Sequence, residues 1–356
     1  MSVAAEAPPR AAWLSAAGRI AVPVLLALIV GGLILLALDK NPFEYYAFVV
    51  ERGLLSWAGL QESITRSAPL LLIAAGLIVA FRAGIWNLGV DGQFLLSAVA
   101  ASALAPELAL VLPDWLALSL SCLLAFAVGA LWSVVPAVLK ARYGINEIIT
   151  SLMMSFLGIS FANVLVKLAF RDPATTVPQT VTLPVDDRLA RLFGNTINCG
   201  IVIAVLAVLL VHLMMTRTAF GLKLQVVGAN PRAAVHAGLS VGRLTIATFA
   251  LSAGLAGLAG AVEVVGVLGS IRADWNPAYG LLVVPLVFLA RFNGPAVIAF
   301  VFCFAVLQIG GESAARRLGV PHFYVLVLVG LLLLFLAVVE YLDHRRRAAQ
   351  GYGGGA

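Results

Sequence analysis

The sequence predicts an all-α membrane protein of about ten transmembrane helices, some short or broken, with both termini inside. Three observations lead there. Apolar residues make up 62% of the 356-residue chain, against roughly 45–50% in soluble proteins. Charged residues are only 11%, against about 25%, and the mean hydropathy is +1.04. The apolar residues also fall in runs of membrane-crossing length, separated by short breaks rich in Gly, Pro, Lys and Arg. The net charge of +6 is spread among these runs rather than gathered on one face, so it argues against a nucleic-acid partner and bears on topology instead.

Met1 to Arg19 reads as a disordered, Ala/Pro-rich cytoplasmic arm. Ile20 to Leu38 is uncharged, too long for the apolar core of a secretory signal and followed by no cleavage pattern, so it reads as a retained span. Asp39 to Arg66 mixes Glu44, Glu51 and Glu62 with Tyr45, Tyr46 and Trp57, as expected of an external loop carrying an interfacial helix. Ser67 to Phe81 is apolar but, as a helix, extends only roughly 22 Å, short of the roughly 30 Å hydrocarbon layer. Phe94 to Leu112 and Trp115 to Leu139 flank a turn at Pro113-Asp114, and a basic loop, Lys140 to Gly144, follows. Asn146 is placed to cap the next helix, Glu147 to Val166.

The longest loop, 167–196, holds Pro173, Pro178 and Pro184 and reads as external. Ile197 to Met215 is a further span, and 216–243 is polar and basic. Leu244 to Leu268 carries Ala253-Gly254-Leu255-Ala256-Gly257-Leu258-Ala259-Gly260-Ala261, a pattern for close helix packing. A loop with Trp275 and Asn276 precedes the short run Gly280 to Ala290, and Arg291-Phe292-Asn293-Gly294-Pro295 breaks the chain. Ala296–Ile309 and His322–Val339 complete a permeation domain spanning 20–340, before a basic tail at 341–356. The basic clusters Arg217, Lys223, Arg232 and Arg243, and Arg345-Arg346-Arg347, place those segments and both termini inside. Eight spans with two re-entrant hairpins is the alternative arrangement.

Two stretches carry mechanism. From Arg82 to Gln93, Gly84, Gly89 and Gly92 permit tight or left-handed backbone, while Asn87, Asp91 and Gln93 can bond the groups that leave the helix ladder. Asp91 is expected to cap the helix beginning near Gln93, and Arg82 either to reach water or to pair with Asp91. The stretch is either a capped cytoplasmic turn or a re-entrant loop lining a wet cavity, the setting in which irregular backbone is tolerated at membrane depth. In the loop 218–238, with Gly221 and Gly228, Asn230 caps, Pro231 fits the first helical position and Gly238 stops a helix of about seven residues. Its small residues Ala233, Ala234 and Ala237 suit a partner's groove, and a solvated linker is the other reading.

Glu263 reads as an inter-helix or interfacial acid, or as part of a solute path together with Trp86, Asn87 and Asn276. Trp275 and Tyr279 read as an interfacial aromatic belt or as rings that stack a solute. Cys122, Cys199 and Cys303 have no Cys-x-x-Cys spacing and His212, His236, His322 and His344 are scattered, so neither a disulfide nor a metal site is expected. An ion-driven transporter would carry acids or histidines deep in its spans, whereas Asp91, Glu147, Glu263 and Glu340 sit at span ends. A membrane enzyme would cluster catalytic groups at one face, and none cluster here.

Arg82-Ala83-Gly84, Asn87-Leu88-Gly89 and Asp91-Gly92-Gln93 together resemble the signature of permease subunits of bacterial ABC importers in the branched-chain amino acid/ribose/nucleoside permease superfamily. Asn146 to Met153, Pro178-Gln179-Thr180, Gly221 to Gly238 and Ser252 to Glu263 follow in the same order, and the resemblance covers about 67–340. The 84–93 wording is similar to the nucleoside-type branch, which works with basic-membrane-lipoprotein-like binding proteins. The importer pattern of an acid, two alanines and a glycine is matched at Ala233, Ala234 and Gly238, but Arg232 stands in the acid's place. A contact made by that acid does not carry over; the loop's role does. The resemblance implies a cytoplasmic ABC ATPase docked on 218–238, an extracytoplasmic solute-binding protein and a second permease, identical or homologous, in a bacterial inner membrane. The chain has no Gly-x-x-x-x-Gly-Lys-Ser/Thr loop, so ATP-Mg is expected in the ATPase and no cofactor here. The implied solute is a nucleoside or nucleobase first, a simple sugar second and an amino acid third.

Overall fold

A computed structural model describes residues 10–192, 196–321 and 323–351. Met1 to Pro9 of the expected arm, Phe193 to Asn195 of the long loop, His322 and Tyr352 to Ala356 lie outside the described residues. The chain is helical throughout: α1 Arg10–Ala37, α2 Pro42–Val50, α3 Trp57–Arg82, α4 Val90–Ala109, α5 Asp114–Trp132, α6 Val134–Tyr143 and α7 Glu147–Val164. Then follow α8 Gly200–Arg217, α9 Ala219–Ala229, α10 Pro231–His236, α11 Val241–Glu263, α12 Tyr279–Leu289, α13 Gly294–Leu318 and α14 Tyr324–Gly351. Among the described residues β-pairing is limited to two isolated bridges, Gln179 with Arg272 and Arg191 with Asn198. Among the described residues, seven helical segments are long and apolar enough to cross a membrane, with shorter apolar helices at 21–37, 219–229, 279–289 and 324–339.

Several boundaries differ from expectation. Helix α1 begins at Arg10, inside the expected arm, and α14 runs to Gly351, through most of the expected tail. Lys140 to Tyr143 belong to helix, and only Gly144 breaks it, in the left-handed conformation glycine tolerates. The largest correction concerns α3. It starts at Trp57 and, at about 39 Å, outspans the hydrocarbon layer, so Ser67–Phe81 is the buried part of a full-length helix and not a short span. Its polar beginning is affordable because each group finds a partner: Gln61 Oε1 accepts from the Thr196 N–H (3.1 Å) and hydroxyl (2.6 Å), and the Ser67 hydroxyl donates to the Ser63 carbonyl (2.7 Å).

The chain forms two compact units. The first comprises residues 1–56 and 306–356. Its core gathers Leu35, Tyr45, Val49, Ala314, Tyr324 and Leu328, and the Tyr46 hydroxyl donates to the Leu28 carbonyl (2.9 Å) beside the Tyr324 hydroxyl (3.1 Å). The second unit, Trp57–Ala305, is built around α11, which packs on α3, α4 and α5. The small-residue run makes this possible. A β-carbon on Gly76 of α3 would sit 2.6 Å from the Ser252 carbonyl, and one on Gly260 would strike the Phe94 carbonyl. Backbones approach here as closely as van der Waals contact allows.

Candidate functional site: a buried hairpin and the segment that touches it

Helix α3 ends at Arg82, yet the chain does not leave the bundle. Gly84, in the left-handed region (φ +69°), reverses it, and Ile85 to Gly89 run back inside without regular structure. Asn87 marks how far. Its amide nitrogen donates to Ser252 (3.1 Å), the midpoint of α11, which also packs on Gly76, six residues and about 9 Å before the end of α3. The side chain is fully buried and fully used: it donates to Gln93 Oε1 (3.0 Å) and accepts from Gln93 Nε2 and the Gly89 N–H (3.1 Å each). Neighbouring amides are met from α7, where Ser151 accepts from the Leu88 N–H and Ser155 from the Gly92 N–H (3.1 Å each). The irregular backbone is thus satisfied by protein rather than by water.

Asp91 does not take the cap position expected of it, and Arg82 does not take the ion-pair alternative. Gly89 occupies the cap position of α4, and among the described residues no Arg82–Asp91 ion pair forms. Asp91 lies in the first turn of α4, and its Oδ1 accepts from the Gly280 N–H (2.7 Å) in the first turn of α12. Two helix N-termini therefore converge on one carboxylate, where both helix dipoles favour negative charge. From that meeting point α4 and α12 diverge. Phe94 packs against Tyr279 (5.6 Å) and half-buried Trp275 (6.0 Å), while α12 carries Phe288 down to Phe81 at the end of α3 (5.1 Å).

Next to the meeting point lies a charged trio. Glu263 is 2% exposed; its Oε1 accepts from the Tyr279 hydroxyl (3.4 Å) and faces the Arg66 guanidinium (3.7 Å), which itself donates to the Tyr279 hydroxyl. Glu263 is therefore an inter-helix acid tying α3, α11 and α12. Tyr279 is buried and opens α12, so it is not a belt residue. Asn276 is exposed and only caps its own turn, accepting from the Ala278 N–H (2.9 Å). The sequence pattern did not single out Arg66, Ser151, Ser155 or Ser252. The four-residue spacing of Ser151 and Ser155 on one face of α7 was the available signal.

The segment 218–238 forms two helices, α9 and α10, rather than a loop with one. Thr218 caps α9, bonding the Gly221 N–H (3.2 Å). Asn230 caps α10 as expected, accepting from the Arg232 and Ala233 N–H groups (3.0 and 3.1 Å), with Pro231 first in the helix and Gly238 left-handed after it (φ +76°). Ala234 is buried, while Arg232, Ala233, Val235 and His236 are exposed. The two motifs touch. A β-carbon on Gly228, near the end of α9, would collide with the Arg82 carbonyl and come within 2.8 Å of the Ala83 carbonyl carbon. The hairpin and the capped segment thus meet backbone to backbone.

The profile described as "Branched-chain amino acid transport system / permease component" matches residues 59–337. The chain belongs to that family. It is a permease subunit of an ABC importer for small solutes and an integral membrane protein, not an enzyme. The permease is 34% identical to a glucose ABC transporter permease protein of Haloferax volcanii, over 97% of this chain and 94% of that one. It is 27% identical to a nucleoside ABC transporter permease protein of Lactococcus lactis (89% of each chain) and 26% identical to a guanosine ABC transporter permease protein of Bacillus subtilis (89% and 91%). No solved structure matches the permease.

Proposed function

We propose that this permease carries a nucleoside or nucleobase inward, driven by ATP-Mg hydrolysis in a separate cytoplasmic ATPase. A solute-binding protein delivers the solute from outside, and a second permease, homologous or identical, completes the path. Both termini and the α9–α10 segment face the cytoplasm in this reading, with ten spans when the shorter apolar helices at 21–37, 279–289 and 324–339 are counted with the seven longer ones. The ATPase docks on α10 and its surroundings: Arg232, Ala233 and Gly238 face it, Ala234 seats the helix, and Gly221, Gly228 and Asn230 hold its geometry. The observation that carries this is α10 itself. A six-residue helix is too short to stand alone, yet it is capped at its start, stopped at its end and exposed on all but one of its residues.

Within the path, Trp86 and Asn276 mark the wall, while Asn87 and Glu263 serve as scaffold because their polar atoms are already engaged, Glu263 with Arg66 and Tyr279. The surrounding lipid covers the exposed apolar faces of α5, α7 and α8. The nucleoside reading rests on the nucleoside and guanosine relatives and on the wording of 84–93. The higher identity to the glucose permease favours a sugar as the second reading. Calorimetric titration of the solute-binding protein that works with this permease decides between them. Binding of uridine or guanosine with no response to glucose is expected; the reverse pattern replaces nucleoside by sugar.

A further inference from the structure

Four rings gather where the hairpin and α12 meet the end of α3. Phe81 lies 5.0 Å from Trp86 and 5.1 Å from Phe288, Trp86 stacks on Phe288 at 5.7 Å, and Phe292 closes on Phe288 at 5.2 Å. The rings come from three separate pieces of chain, and the backbone is bent to bring the last one in: Arg291 and Phe292 are both left-handed (φ +51° and +57°), a conformation costly for residues with a β-carbon. The cluster is not sealed. Trp86 is 39% exposed, and Phe81, Phe288 and Phe292 are half-buried.

The surroundings separate this cluster from ordinary core and from a lipid-facing belt. Arg82 and Arg291 flank it in sequence, the latter exposed, so its open side adjoins water. On α12, Leu281, Val284 and Phe288 share the one face that is not buried. The two arginines that adjoin the rings make this end of the face a poor match for acyl chains. Trp86 is also two residues from Gly84, which touches Gly228 of α9, so a shift of α9 moves the indole directly.

We infer that Phe81, Trp86, Phe288 and Phe292 form the cytoplasmic gate of the permease, and that the solute passes it by stacking a planar ring on Trp86 and Phe288. The inference rests on the nucleoside reading and adds the part of the solute that is read: the base and not the sugar. Base–aromatic stacking tolerates any base, since every base has a π-face, and each ring contributes a factor of about ten.

The test is uptake by the complete assembly (both permeases, ATPase and binding protein) in proteoliposomes, with uridine compared against 5,6-dihydrouridine. The two share a ribose and differ in the flatness of the ring. Relative to wild type, Trp86→Leu is expected to cut uridine uptake about tenfold and leave dihydrouridine uptake unchanged, with Trp86→Phe restoring most of the loss. Comparison with wild type cancels discrimination by the binding protein. Equal loss of both solutes with a lowered melting temperature assigns the rings to packing and overturns the inference, as does no loss. A wild-type assembly that does not move uridine overturns the nucleoside reading and this inference together. One that moves uridine while the Trp86→Leu variant ignores the ring overturns this inference alone.

Discussion

Asn87 holds an irregular segment inside a helical bundle with one amide. Its nitrogen reaches Gln93 and Ser252, its oxygen takes the Gly89 N–H and the Gln93 amide, and no water is needed. Asn87→Ala strands these partners in a buried place, at about 1–3 kcal/mol for each group left unsatisfied. The expected result is a fall in melting temperature of several degrees in detergent and a hairpin open to proteolysis; an unchanged melting curve would contradict the arrangement. The sequence displayed these polar residues but not their partners. Asp91 looked like a local cap because caps are recognised within three or four residues, whereas its partner, the Gly280 N–H, lies 189 positions away. Arg66 was assigned to a loop for the same reason, its partners Tyr279 and Glu263 being remote.

At the scale of elements, local chemistry was readable and distant packing was not. Asn146, Asn230, Pro231 and Gly238 each act where their side-chain or backbone preferences place them. The small residues of α11 foretold close packing, and the structure names the neighbours: α3 through Gly76 and Ser252, α4 through Gly260, α5 through Gly257. The length of α3 was misread because hydropathy counts each polar residue as a break, while a helix asks only that each be bonded. The contact of α9 with the hairpin, through Gly228 and Gly84, could not be read from either motif alone. It makes a prediction. Gly228→Val forces α9 away from the Arg82 and Ala83 backbone, so ATP hydrolysis should continue while solute moved per ATP falls about tenfold or more, at a cost of transmission rather than of folding. Uptake and hydrolysis falling in parallel would show that Gly228 serves docking alone.

For the molecule as a whole, the buried charges of the described spans are used for structure. Glu263 is tied to Arg66 and Tyr279, and Asp91 to the start of α12. Neither is left facing a path on which an ion could travel, which fits the proposal that the permease borrows its energy from a separate ATPase. On the proposed function, the hairpin's backbone contact with α9 is the route by which hydrolysis in the ATPase would reach the hairpin. The most direct measurement is uptake of labelled uridine into proteoliposomes holding this chain with its second permease, the ATPase and the binding protein. Uptake that needs ATP and the ATPase, and ignores proton and sodium gradients, is the predicted result. Uptake by the permease alone on an ion gradient would contradict it.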